Sequence, residues 1–159
     1  MRIVLFTDGS CEVKSKLGGW GGVIVTPTLR RVLHGSAYPT TISRCELMPI
    51  IEGLKVIYYD ILDKKEGFAV RIVSDSEYTV KVIGGVETFK KNADLWTAFF
   101  EMASHFKIDA VWRERNTHPY MTLCDSMAHA CRVTNLELGN SMYDVIANNY
   151  PLTIKTEDV

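Results

Sequence analysis

Apolar residues come along this chain first in short bursts and later at helical spacing, and that change of period sets its organisation. Arg2 to Thr7 is rich in strand formers and stops at Asp8-Gly9-Ser10, a turn signal. Gly18-Gly19-Trp20-Gly21-Gly22 leads into Val23-Ile24-Val25, a second strand halted by Pro27, and Arg31 to Ala37 reads as a third. Three short strands in succession predict an antiparallel meander. Leu47, Ile50, Ile51, Leu54 and Tyr58 then form one apolar stripe at helical period. Ser43-x-x-Glu46 fits a capping box at the start of that helix. Pro49 removes a backbone donor within this register, so the helix either begins after Ser43 or bends.

Phe68 to Ser74 is nearly continuous in apolar character, as expected of a strand buried on both faces. A short helix follows from about Ser76 to Ile83, closed by Gly84-Gly85. Another starts near Asn92, with Trp96, Phe99, Phe100 and Ala103 on one face. Ile108 to Arg113 alternates as a fifth strand, and Thr122 to Arg132 is a last core helix. The order βββαβααβα predicts an α/β fold, a mixed sheet covered by helices on both faces. Residues 1–134 are expected to form this domain and 135–159 to extend it, with one short helix near Met142 to Ala147.

Composition narrows the picture modestly. A chain of 159 residues, 47% hydrophobic and 23% charged, suits one well-buried core. No apolar run approaches the ~20 residues of a membrane span. The opening residues are too short for a secretory core, so a cytoplasmic protein is the expectation. Cys11, Cys45, Cys124 and Cys131 contain no CxxC pair and read as reduced packing residues. Because Cys11, Cys45 and Cys124 neighbour acids in sequence, a zinc site is the competing reading. A formal net charge of −1 gives no bulk attraction to nucleic acid. Any such binding rests on local pairs: Lys14 with Lys16, Arg30 with Arg31, Lys90 with Lys91, and Arg113 with Arg115.

Candidate chemistry lies in four carboxylates. Asp8 and Asp75 end the first and fourth strands, which open on one crevice if the strands are parallel neighbours. Glu46 and Asp125 fall in the first turns of the long helix and the last helix. Converging carboxylates repel unless a cation neutralises them. An all-oxygen donor set favours Mg²⁺ or Mn²⁺, and two such ions are suited to cutting a phosphodiester. Each acid also has a local explanation: a turn at Asp8, a capping box at Glu46, an N-cap at Asp75 and a dipole partner at Asp125. Their joint placement at element ends favours the site.

In order along the chain stand Thr7-Asp8-Gly9-Ser10, Gly18-Gly19-Trp20-Gly21, Glu46-Leu47 and Ser74-Asp75-Ser76-Glu77-Tyr78. Asn92-Ala93-Asp94-Leu95-Trp96 and Cys124-Asp125-Ser126-Met127-Ala128 follow. This series resembles the ribonuclease H family from about Arg2 to Arg132. The resemblance implies a five-stranded mixed sheet in the order 3-2-1-4-5. It implies metal-dependent endonucleolytic hydrolysis of the RNA strand of an RNA–DNA hybrid, leaving a 5′-phosphate and a 3′-hydroxyl. Asp8, Glu46, Asp75 and Asp125 would hold two Mg²⁺ ions, with Mn²⁺ as a substitute. Gly9, Ser10, Ser43, Glu77, Lys90, Lys91 and Arg115 would meet the hybrid, in a protein expected to be monomeric.

Departures from the family pattern qualify these expectations. The auxiliary histidine ten residues before the last aspartate is Arg115 here, preceded by Glu114. His118, seven residues before Asp125, is the candidate to serve in its place. Ile42-Ser43 replaces an asparagine pair, Met121 replaces another asparagine, and the basic handle is reduced to Lys90 and Lys91. These changes imply slower turnover and either weak substrate affinity or delivery by a partner domain or protein.

Rival readings remain. A proofreading exonuclease would carry an acid where Ser10 stands, and an integrase a glutamate where Asp125 stands. A phosphotransferase would need a P-loop ending that Gly18 to Gly22 lacks. A non-catalytic or weakly active hybrid-binding scaffold of the same fold is the main alternative.

Overall fold

Ile3, Val4, Leu5 and Phe6 are all buried, because their strand is the middle one of the sheet and is covered on both sides. The computed structural model of the protein describes residues 2–134. Strand β1 (Ile3–Cys11) pairs antiparallel with β2 (Gly18–Val25), which pairs antiparallel with β3 (Arg30–Ala37). On its other side β1 pairs parallel with β4 (Phe68–Ser74), and β4 with β5 (Phe106–Trp112). The order β3-β2-β1-β4-β5 is the one implied above.

Alternation along β1 divides the core. Ile3 and Leu5 enter one apolar cluster, Val4 and Phe6 the other. The first cluster is covered by helix α1 (Ile42–Val56) through Leu47, Ile50, Ile51 and Leu54. Helix α3 (Ala93–Ala103) joins it with Trp96, Phe99 and Met102. Phe100, expected on that face, is 46% exposed, and Met102 takes the inner position. The second cluster is covered by α4 (Pro119–Thr134) through Tyr120, Met121, Leu123, Cys124 and Met127. Each such side chain contributes roughly 1.5–3 kcal/mol by leaving water.

Helix α4 packs on β1, β2 and β3. In the first half of β4 Ala69 is exposed and Arg71 half-buried, and Arg71 pairs with Asp109, its register partner on β5, at 2.7 Å. Only the second half of β4 has the burial expected of the whole strand. The short helix α2 (Glu77–Ile83) follows β4 closely and packs beside β5.

Several boundaries differ from expectation for local reasons. Strand β1 continues past Thr7 to Cys11 because the glycine-rich start of β2 pairs with it, Asp8 opposite Gly21 and Cys11 opposite Gly18. Helix α1 starts at Ile42, capped by Thr41, whose side chain accepts the Arg44 N–H, so Ser43 and Glu46 form no capping box. Pro49 lies within α1, and the helix ends in a wider turn over Ile57–Ile61. Helix α4 begins earlier than expected, with Pro119 at its first position, where a missing N–H costs nothing. The short helix expected near Met142 to Ala147 lies outside the described residues. No described helix is long and apolar enough to cross a membrane.

Candidate metal centre

The site forms where the sheet divides. Pairing of β1 with β4 ends at Phe6↔Val73, while β1 stays paired with β2 as far as Cys11. Asp8 therefore stands just beyond the parallel pair, 1% exposed, its Oδ1 accepting the Gly9 N–H at 2.9 Å. Asp75 immediately follows β4, and its carbonyl accepts the Trp112 indole N–H at 3.1 Å, which anchors its backbone.

Glu46 reaches the same point because α1 crosses β1 at Gly9. A Cβ on Gly9 would collide with the carbonyl group of Cys45, so only glycine permits this approach. Pro49 has no N–H to offer that carbonyl, which lies where Gly9 packs. On the opposite face Gly19 and Gly21 give α4 the same closeness, since side chains there would meet the backbone of Ala128, Arg132 and Cys124.

Asp8, Glu46 and Asp75 each offer a carboxylate oxygen, and these oxygens all lie within 4.8 Å of one another. Asp125, from α4, is close enough to Asp8 to share a hydrogen bond with it. None of the four acids serves the local purpose that could have explained it. Asp8 is within a strand, and Glu46 lies beyond the first turn of α1. Ser76, not Asp75, caps α2, and Asp125 lies beyond the first turn of α4.

The electrostatics are those of a site whose negative charge is only partly countered. Burial, then Asp75 and Asp125, pushes the Asp8 carboxyl up to about 8. Burial, then Asp8 and Asp75, holds Glu46 well above the usual carboxylate range, with Arg115 and the Gly9 N–H opposing. Glu46 Oε2 and Asp75 Oδ1 are buried oxygens without a hydrogen-bond partner among the described residues. Hard oxygen donors that are close, buried and unsatisfied fit a divalent cation of the Mg²⁺ or Mn²⁺ type.

The cysteines do not join them. Burial holds the thiol of Cys124 well above its usual range and that of Cys45 at about 11. Cys124 Sγ donates to the Phe6 carbonyl at 3.4 Å, and Cys45 Sγ to Thr40 Oγ1 at 3.9 Å.

The other candidate residues fall into four settings. Gly9 and Ser10 line a groove that continues from the acids past Asp125 and Arg115. Arg115 donates from Nε to Asp75 Oδ2 at 3.4 Å. Ser43, Lys90 and Lys91 share a second hollow with Tyr78 and Asn92, whose amide donates to Ser43 Oγ at 3.1 Å. Glu77 lies exposed on α2, ion-paired to Lys81 at 3.6 Å.

His118 is not among the acids. Its ring is 6% exposed and stacks on Phe6 with centroids 4.7 Å apart. Its Nδ1 accepts the Tyr120 N–H at 3.1 Å and its carbonyl the Thr122 N–H, so it caps α4. The Pro119 that follows it starts the helix and fixes it there.

Arg132 and His129 escaped the sequence reading. Arg132 Nε donates to Ser10 Oγ at 2.8 Å and its Nη2 contacts His129 Nδ1 at 2.9 Å, along the wall of the groove. Their spacing, four and seven residues after Asp125, puts all three on one face of a helix. That spacing was the available signal.

Comparison with known proteins finds relatives in sequence and in fold. The family described as RNase H matches residues 1–150. A ribonuclease H of Sulfurovum sp. (strain NBC37-1) is 37% identical over 136 residues, covering 80% of this chain and 88% of that protein. A ribonuclease H of Cupriavidus metallidurans is 33% identical over 142 residues, covering 80% of this chain and 93% of that protein. Among solved structures, the N-terminal RNase H domain of a Mycobacterium tuberculosis protein is similar in fold. It has a TM-score of 0.72 at 20% identity, covering 84% of this chain and 94% of that one. LC11-RNase H1, solved in complex with an RNA/DNA hybrid, has a TM-score of 0.69 at 18% identity, covering 84% of this chain and 98% of that one.

Proposed function

This chain belongs to the ribonuclease H family, and from that membership we propose that it is an endonuclease hydrolysing the RNA strand of RNA–DNA hybrids. One observation carries the reading: three carboxylates from three separate elements meet within 4.8 Å, with buried oxygens left unsatisfied. A binding module has no use for mutually repelling acids of this kind. That LC11-RNase H1, a structure of the same fold, was solved with an RNA/DNA hybrid supports the same substrate class.

In this reading Asp8, Glu46, Asp75 and Asp125 hold two Mg²⁺ ions, which Mn²⁺ can replace. When bound, such ions supply Lewis-acid activation of the attacking water and neutralise charge at the leaving oxygen. Scission yields a 5′-phosphate and a 3′-hydroxyl. The chain's own groups do the positioning. Gly9 and Ser10 offer backbone and hydroxyl groups to the RNA strand beside the acids, where the 2′-hydroxyl distinguishes it from DNA. Lys90, Lys91 and Ser43, gathered around Asn92, suit phosphates further along the hybrid, while Glu77 on the adjoining helix would accept from its sugar hydroxyls. Arg115, on the wall of the groove that Gly9 and Ser10 line, would meet the backbone of the hybrid. His118 acts by fixing the start of α4, and with it Asp125. The reading includes a cytoplasmic monomer to which a partner delivers substrate, compensating for the reduced basic handle.

The test is cleavage of a labelled RNA–DNA hybrid in Mg²⁺ and then Mn²⁺, beside RNA–RNA and DNA–DNA duplexes. Metal-dependent cutting of the RNA strand of the hybrid alone is expected. A folded protein that binds the hybrid and cuts nothing with either metal would establish the scaffold reading instead.

A further inference from the structure

Between β5 and α4 the chain forms a self-braced loop. Arg113 donates from Nε to Thr117 Oγ1 at 3.1 Å and from Nη2 to the Thr117 carbonyl at 3.0 Å. Thr117 Oγ1 in turn donates to the Glu114 carbonyl at 2.6 Å. Asn116 takes the left-handed φ of 62° that the tight path requires, which asparagine tolerates better than most residues. The loop is thereby shaped to carry one side chain, Arg115, over the mouth of the acid cluster.

The two partners of that contact differ sharply in exposure. The Asp75 side chain is 11% exposed and that of Arg115 is 58% exposed, so the cation reaches the buried acid from the solvent side. Its charge is felt by Asp8 and Asp125 as well as by Asp75. An arginine keeps its charge throughout the working range, so this cation faces the acids at every pH at which the protein functions. It offsets part of their mutual repulsion, and by the same charge it opposes entry of a second cation. An exposed guanidinium is also free to turn, and its planar fork matches a phosphate.

We propose that Arg115 is an exchangeable counter-cation: it pairs with Asp75 while the site is metal-free and passes to a substrate phosphate when Asp75 turns to the metal. The proposal rests on the acids being a metal site, as argued above. It makes metal and hybrid bind cooperatively, because each helps remove the guanidinium from Asp75, and such coupling is reciprocal.

The experiment is calorimetric titration of the full chain with Mn²⁺ alone. It is repeated with a hybrid whose RNA strand carries 2′-O-methyl groups and resists cleavage. Wild type is compared with Arg115→Gln and Arg115→Lys. Without hybrid, Arg115→Gln should bind Mn²⁺ about tenfold more tightly than wild type, the scale on which one opposite charge at this range biases a carboxylate. Arg115→Lys, which keeps the charge, should stay near wild type. The resistant hybrid should tighten Mn²⁺ binding more in wild type than in Arg115→Gln, where only the phosphate's own attraction for the metal remains. Equal Mn²⁺ affinity in all three proteins would overturn the counter-cation role and leave the metal site standing. Failure of every protein to bind Mn²⁺, with or without hybrid, would remove the metal site and this proposal together.

Discussion

Arg44 and Glu46 are two residues apart on α1 and sit in opposite electrostatic settings. Arg44 is fully engaged: its Nη1 and Nη2 donate to Asp94 Oδ1 and Oδ2 at 3.0 and 2.8 Å. That hydrogen-bonded pairing holds the Asp94 carboxyl down at about 2. Glu46 is buried, leaves Oε2 without a partner, and is pushed up by burial and by Asp8 and Asp75. Two residues turn a helix by about 200°, so the pair points to opposite sides. One side is the α1–α3 seam at the surface, where charge is matched. The other is the split in the sheet, where it is not. Unmatched charge buried at one end of the sheet marks where something else is meant to bind.

The strongest way to break this contrast is to remove one of the crowded acids. Asp75→Asn should reduce hybrid cleavage by at least about 10³-fold. The metal-free protein should melt no lower than wild type, because a repulsive charge has gone and the one cation paired with it, Arg115, is itself 58% exposed. Turnover near wild type in Mg²⁺ would sink the site.

A pH series sharpens the contrast without mutation. Asp8 has a folded value of about 8 against an ordinary 3.8. Folding therefore favours its protonated form, and that stabilisation is full below the ordinary value and is lost as pH rises through about 8. Asp94 is the reverse: its contribution is present above 3.8 and lost as pH falls through about 2. Melting in a chelator should therefore fall steadily from about pH 5 to about pH 9. Saturating Mg²⁺ should flatten that slope, since the metal competes with the protons. A chelated protein whose melting point rises over this range would contradict the crowded-acid account.

The smallest effect on activity belongs to His118, a buried polar group outside both settings. His118→Ala should slow turnover by no more than about threefold. It should also cost about 1–3 kcal/mol of stability through the lost cap and the lost stack on Phe6, read by denaturant unfolding. Near-complete loss of activity in a folded variant would return the histidine to the chemistry.

Much of the scaffold was legible because burial writes a period into the sequence. The stripe through Leu47, Ile50, Ile51 and Leu54 located α1, and the switch from short apolar runs to helical spacing ordered the elements. What was misread depended on partners distant in sequence. Asp8-Gly9-Ser10 has the composition of a turn, and only the facing stretch Gly19 to Gly21 keeps it in strand. Ser43-x-x-Glu46 has the form of a capping box, but Thr41 caps the helix and Glu46 turns inward. The acids could be picked out by expected element ends, although Asp8 proves to lie within β1 and Glu46 and Asp125 beyond the first turns of their helices. Their spacing in three dimensions could not be read at all. Arg132, joined to Ser10 across 122 positions of sequence, carried no local signal beyond its place on the helix face.

The close crossing of β1 and α1 has a consequence for how this protein tolerates change. Gly9 has no functional group, yet it sets the distance between two elements that each carry an acid. In a saturation scan scored by activity, position 9 would accept one residue in the same way as Asp8 beside it, for a purely steric reason. Gly19 and Gly21 would behave alike where α4 brings Asp125 against the sheet. Intolerance at this end of the molecule would thus trace out two groups, one that reacts and one that must stay empty. The second group could be recognised because no amount of chemical rescue, by metal or by pH, would restore it.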